Sequence, residues 1–305
     1  MQSMHVTSSE LALGTVQWGL DYGIANQGGR ASEADVVAML ALAQRSGIDT
    51  LDTARAYGEA EALLGRVLLP TAPFRLVTKL SPSVCESLPD EDAVEEAVRA
   101  SLEASRRALA RDHLDVVLLH RPEHRFDGDG VVWRTLKKEV ALGTISALGV
   151  SASSPESALQ ALDDPSVRVL QVASSLLDRR LEALAFFEKA RDVGVEVHLR
   201  SVFLQGLAFL EISQLPAHLL PVKESLERID RWATEAQTTR SCVFLAYALS
   251  LGASRVLMGC ERLSQLEMNL AAFREARELS AKVQDLATEL PSLSAAVLNP
   301  AHWPR

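Results

Sequence analysis

The chain runs to 305 residues, 48% hydrophobic and 23% charged, an ordinary globular balance with enough length for a large core. Its net charge of -9 argues against nonspecific nucleic-acid binding and docking on anionic membranes, and no apolar run nears the roughly 18 residues that cross a bilayer. Three cysteines without metal-ligand spacing, and an N-terminus (residues 1–5) lacking the basic and apolar regions of a signal peptide, predict a soluble protein of the reducing cytoplasm.

Taken in order, short apolar runs alternate with amphipathic segments. Residues 11–14 predict a first strand, followed by the turn Gly14-Thr15-Val16-Gln17-Trp18-Gly19 and a loop carrying Gly23, Gly28 and Gly29. Ser32 suits the N-cap of a helix reaching about residue 44. Residues 47–51 predict a second strand ending on Asp52, and residues 59–68 a helix with Ala62, Leu63, Leu64, Val67 and Leu68 on one side. Strands at 74–79 and 114–119 flank a long helix at 90–109. A helix at 131–142, closed by Gly143, leads to a strand at 145–150, and Ser154-Pro155 opens the next helix with a cap and a first-turn proline. A strand at 167–173, a helix at 181–192, a strand at 194–199, helices at 219–236 and 241–251, and a strand at 255–258 continue the pattern. Ser264 and Glu267 carry the Ser-x-x-Glu pattern for capping the eighth helix, and residues after about 275 form a helical tail.

Eight strands, apolar on both faces and alternating with helices, predict an α/β fold: one (β/α)8 TIM barrel spanning residues 1–305 as a single domain, with a helical C-terminal tail. An open doubly wound sheet is the alternative. It usually has fewer strands and a Gly-x-Gly-x-x-Gly first turn, which the first turn here does not match.

Four polar residues then share a location. Asp52, Lys79 and His120 end strands two, three and four, and Tyr57 lies on the loop after strand two. In a barrel these converge on the C-terminal rim, where catalytic groups come from separate strands. Tyrosine ordinarily holds its proton too tightly for easy exchange at neutral pH; a lysine ammonium favours the phenolate, and a carboxylate holds that lysine charged. A neutral histidine can orient a carbonyl by hydrogen bonding. The set suits proton transfer to or from a carbonyl oxygen and requires no metal. Taken singly, Asp52 and Lys79 also suit a structural ion pair, and His120 a core histidine.

Leu51-Asp52-Thr53-Ala54 with Ala56-Tyr57-Gly58, then Thr78-Lys79, then Leu118-Leu119-His120-Arg121-Pro122, resembles the aldo-keto reductases from about residue 11 to residue 273. The resemblance implies a barrel that binds NADPH, with NADH the less favoured cofactor, and passes hydride to a carbonyl carbon. Asp52, Tyr57, Lys79 and His120 would form its catalytic tetrad, with Tyr57 as general acid. It assigns cofactor contacts to Gly14, Thr15 and Val16, to Ser151 and Gln171 around the nicotinamide amide, to Arg200, Ser201 and Gln205, and to Gly259, Arg262, Gln265 and Asn269 around the adenosine phosphate. Two positions depart from the family pattern. Ala152 replaces an asparagine, and Arg200 stands where a tyrosine often stacks on the nicotinamide.

Trp18, Tyr22, Arg121, His124 and Trp303 are the expected pocket residues, and a polar, partly aromatic rim suits a small sugar-like carbonyl substrate. Two other functions fit the same motifs: a cofactor-binding regulatory module with little turnover, and a Schiff-base enzyme using a Lys79 free of Asp52.

Overall fold

The computed structural model describes residues 10–86 and 90–304; residues 1–5, whose composition bears on targeting, lie outside them. Eight parallel strands close in sequence order into a barrel: β1 (Glu10–Gly14), β2 (Thr50–Asp52), β3 (Arg75–Lys79), β4 (Leu114–Leu119), β5 (Ile145–Ser151), β6 (Val167–Ala173), β7 (Glu196–Arg200) and β8 (Arg255–Gly259). Pairing of β1 with β8 from Glu10 against Arg255 to Gly14 against Gly259 completes the ring and excludes the open sheet.

The helices are α1 (Val16–Gly19), α2 (Glu33–Arg45), α3 (Ala60–Val67), α4 (Glu91–Leu109), α5 (Asp127–Ala141), α6 (Pro155–Leu162), α7 (Phe186–Asp192), α8 (Lys223–Glu235), α9 (Arg240–Ser250), α10 (Leu263–Leu279), α11 (Val283–Glu289) and α12 (Ala295–Leu298). Local chemistry sets their ends. Ser32, Asp90 and Ser154 accept backbone N–H groups at the starts of α2, α4 and α6. The last two helices, with a closing 3-10 turn at Pro300–His302, make the expected helical tail. Among the described residues no helix is long and apolar enough to cross a membrane.

Four differences from the sequence reading have a local cause. Strand two begins only at Thr50, because Gly47 takes φ +78° to end α2. The segment predicted as a helix at 181–192 is broken: Ala185 sits at φ +51° between a 3-10 turn, Glu182–Leu184, and α7. The first turns of the 219–236 helix are 3-10, since Pro221 lacks a backbone donor, and the regular helix starts at Lys223. Ser264 does not cap α10. Arg262 is the N-cap, and Gln265 Oε1 accepts the backbone N–H groups of Glu261 and Arg262.

The two-residue period of a strand sorts the barrel interior into three layers. Val77, Val116, Leu118 and Val169, with Ala147 against them, form a small apolar disc separate from the outer core. Two residues before Val77 on β3, Arg75 reaches across the barrel floor to grip both oxygens of Glu196 at 2.7 and 2.8 Å, and His198 lies 2.8 Å from Glu196 Oε1. Two residues after Val77, Leu118 and Val169 come Lys79, His120 and Gln171, at the C-terminal ends of β3, β4 and β6. The apolar disc therefore separates the charged floor from the polar mouth that stands on it.

Candidate active site

Lys79 is the centre of that mouth. Only 1% of it is exposed, and its ammonium donates to Asp52 Oδ1 at 2.8 Å, to Asp52 Oδ2 at 2.7 Å and to the Thr53 carbonyl at 2.9 Å. Burial alone would favour the neutral amine, but the Asp52 carboxylate and the Tyr57 oxygen oppose it, and the pKa ends above the ordinary lysine value. The lysine is thus a permanent cation. Its Nζ lies 4.8 Å from the centre of the Tyr57 ring, within reach of the phenol oxygen.

The Tyr57 ring meets the His120 ring edge-on, at 6.0 Å and 89°. Burial first, and then the charge of Lys79, push the His120 pKa down to about 4, so the imidazole is neutral at physiological pH. Its Nδ1 is buried without a partner among the described residues. Phenol, ammonium, carboxylate and neutral imidazole thus stand together at one rim. Among the described residues no group of His, Cys, Asp or Glu could hold a metal ion.

Hydrogen bonds extend this group around the rim. Gln171, fully buried, donates from Nε2 to Asp52 Oδ1 at 2.7 Å, and its Oε1 accepts from Ser151 Oγ at 3.3 Å. Thr15 holds the Asp52 carbonyl through both its N–H (2.9 Å) and its hydroxyl (3.0 Å). Gly14 faces Gly259 across β1 and β8, and a Cβ added at Gly14 would meet only backbone, at 3.9 Å or beyond. The rim at Gly14 is thus open on its side-chain face, with Val16 half-buried just beyond it.

The loop after β7 is wound tightly. Ser201, Leu204, Gln205 and Gly206 take φ of +61°, +45°, +56° and +96°. Such angles cost roughly 1–2 kcal/mol at each residue bearing a Cβ, so neighbouring structure must hold them. The loop after β1 does so: Ile24 N–H donates to the Gln205 carbonyl at 2.9 Å, and Gly206 packs on Ala25. This brings Gln205 and Arg200 beside Tyr22. Burial and the nearby Tyr57 raise the Tyr22 pKa, while Arg200 and a hydrogen bond to Gln205 oppose the rise. The guanidinium of Arg200 donates to the Ala152 carbonyl at 2.9 Å and to Ser201 Oγ at 3.3 Å.

Other expected site residues sit elsewhere. Trp18 is 2% exposed, and its indole N–H is committed to the Cys260 carbonyl, so it packs beneath the first loop rather than offering a polar edge. His124 is buried, and Arg121 is exposed with weak contacts to Pro82 and Glu86. Trp303 packs on His218, far along the loop after β7. Arg262 donates to the carbonyls of Gly28 (2.6 Å), Arg30 (3.2 Å) and Glu261 (2.8 Å), bolting the loop before α10 to the loop after β1. Gln265 is occupied in capping α10, and Asn269 is buried on that helix.

One support residue escapes the sequence reading. Glu61, buried on α3, accepts from Thr78 Oγ1 at 2.6 Å and pairs with Arg55, tying the Tyr57 loop to β3. Its signal is a carboxylate one helical turn before the core residue Leu64. Gln17 is a second: its side chain fills the space above Gly259, where a Cβ would lie 2.1 Å from Gln17 Oε1.

The family model of the Aldo/keto reductase family matches residues 10–290. The chain belongs to the aldo/keto reductase family. Its activity is therefore that of a nicotinamide-dependent oxidoreductase. A probable aldo-keto reductase 1 of Glycine max is 28% identical over 262 residues, covering 79% of this chain and 75% of that protein. A 6-dehydroglucose reductase of Agrobacterium fabrum is 34% identical over 136 residues, 41% of this chain and 46% of the relative. The holo form of the aldo-keto reductase AKR11C1 from Bacillus halodurans shares the fold, with a TM-score of 0.72, 21% identity and 95% of each chain covered.

Proposed function

We propose that this family member reduces a small, hydroxylated, sugar-like aldehyde or ketone with NADPH, using Tyr57 as general acid. The observation that carries this reading is Lys79, gripped by both oxygens of Asp52 and placed against Tyr57, beside a neutral His120. The same grip argues against a Schiff-base role for Lys79, which would need a neutral, free amine. An intact set of four also favours turnover over a purely regulatory function. The sugar-like class rests on the polar neighbours Tyr22, Arg200 and Gln205, and on relatives named 6-dehydroglucose reductase and D-threo-aldose 1-dehydrogenase.

The residues fit a nicotinamide dinucleotide. Gly14 leaves room at the rim, and the Ser151–Gln171 pair offers amide and hydroxyl groups at the mouth of β5 and β6. When bound, the cofactor supplies a hydride. The chain supplies the rest: His120 orients the carbonyl oxygen through a hydrogen bond, and Tyr57 gives that oxygen its proton. Lys79 stabilises the phenolate left behind, and Asp52 keeps the lysine charged. The preference for NADPH would come from Arg262, although Asp35 at 3.9 Å and the adjacent Glu261 soften its charge. A modest ratio, under about tenfold, is expected of so weak a contrast.

Titration with NADPH and NADH, followed by a panel of hydroxylated aldehydes, tests the reading. Saturable NADPH binding with turnover that disappears in Tyr57→Phe supports it. Undiminished turnover in that variant overturns it.

A further inference from the structure

Arg200 ends β7, yet its guanidinium reaches past β6 to the carbonyl of Ala152, the residue after β5. Ser151, one residue before, is the hydroxyl paired with Gln171. The charge is therefore pinned at the corner where Ser151 and Gln171 meet. Both of its hydrogen-bond partners, the Ala152 carbonyl and Ser201 Oγ, are neutral. Among the described residues no carboxylate lies within ion-pair distance of it, in a protein whose net charge is -9. Arg200 thus carries a charge held only by neutral oxygens, so its field at this corner is not cancelled by a neighbouring acid. Its placement is also fixed on both sides, by the Ala152 bond and by the left-handed turn that begins at Ser201.

We propose that Arg200 is an electrostatic bias on cofactor binding, favouring the reduced over the oxidised form, so that the enzyme loads the hydride donor and releases the spent cofactor readily. This rests on the reading of Ser151 and Gln171 as the nicotinamide corner. The reduced ring is neutral, whereas the ring that has given up its hydride carries a unit positive charge. A fixed guanidinium beside that corner leaves the neutral ring unaffected and repels the charged one. Ala152 is part of the same device. Its backbone carbonyl is what holds the guanidinium in place.

The test measures dissociation constants for NADPH and NADP+ by calorimetric titration in wild type, Arg200→Gln, Arg200→Lys and Arg200→Tyr. Wild type is expected to hold NADPH the more tightly. Arg200→Gln and Arg200→Tyr should shrink the NADP+-to-NADPH ratio of constants by about tenfold, the size of a partly screened charge contact. Arg200→Lys, which keeps the charge, should retain most of the ratio. A merely structural arginine would weaken both cofactors together when replaced, and an unchanged ratio overturns the proposal while leaving the reductase reading intact. Failure of wild type to bind either cofactor would overturn both.

Discussion

On the proposed mechanism, Tyr57 and His120 divide the work of proton handling at the level of single side chains. Replacing Tyr57 by Phe removes only the donor, so cofactor affinity should hold while kcat falls by about 10²–10⁴-fold, as steady-state kinetics alongside a binding titration would reveal. His120 predicts a pH signature. Its pKa is pushed from 6.5 to about 4, so the folded protein resists protonating it. The unfolded chain takes that proton near pH 6.5, and stability is therefore lost as pH falls from about 6.5 toward 4. Urea midpoints measured across this window should fall less in His120→Asn than in wild type. Between about pH 5 and 8 the imidazole stays neutral, and kcat/KM should show no limb that His120→Asn abolishes.

At the scale of elements, the Tyr57 loop is seated by backbone contact. A Cβ at Gly19 would lie 1.8 Å from the Tyr57 carbonyl, and Gly58 at φ +55° meets the Gly19 carbonyl in return. Gly19→Ala should push α1 and this loop apart, with a stability loss of about 1–3 kcal/mol, the usual range for overpacking. Its kcat should drop more than its KM changes, since the phenol rather than the pocket is displaced. The sequence signalled the elements, and the meeting of Asp52, Tyr57, Lys79 and His120 at one rim, because both rest on local pattern: apolar runs of strand length, and a polar residue closing each of β2, β3 and β4. What it missed depends on distant chain. Nothing local marks Glu61 as the partner of Thr78 and Arg55, nor does Trp18 announce that Cys260 takes its N–H. Ser264 and Glu267 have the spacing of a capping box, yet the chain enters α10 two residues earlier, and Gln265 turns back to the N–H groups of Glu261 and Arg262 instead. The broken helix at Ala185 carries no glycine or proline to betray it.

For the molecule as a whole, the barrel floor sets acid resistance. Burial would raise the Glu196 pKa, but hydrogen bonds from His198 and Arg75 overcome it and bring it down to about 2. A carboxylate with a lowered pKa contributes stability above the ordinary value near 4.5, and that stability is lost as pH falls from 4.5 to about 2. Chemical denaturation at about pH 5 and about pH 3 should show a smaller difference in Glu196→Gln than in wild type. Floor and mouth are joined by strands yet divided by the disc of Val77, Val116, Leu118 and Val169, whose side chains carry no atom able to pass a proton along. The barrel is consequently a vessel with one opening to protonic traffic. On the mechanism proposed above, each proton that leaves Tyr57 is replaced from solvent at the mouth, so a solvent deuterium isotope effect on turnover should belong to the mouth alone and survive every substitution of Arg75, Glu196 or His198 that leaves the fold standing.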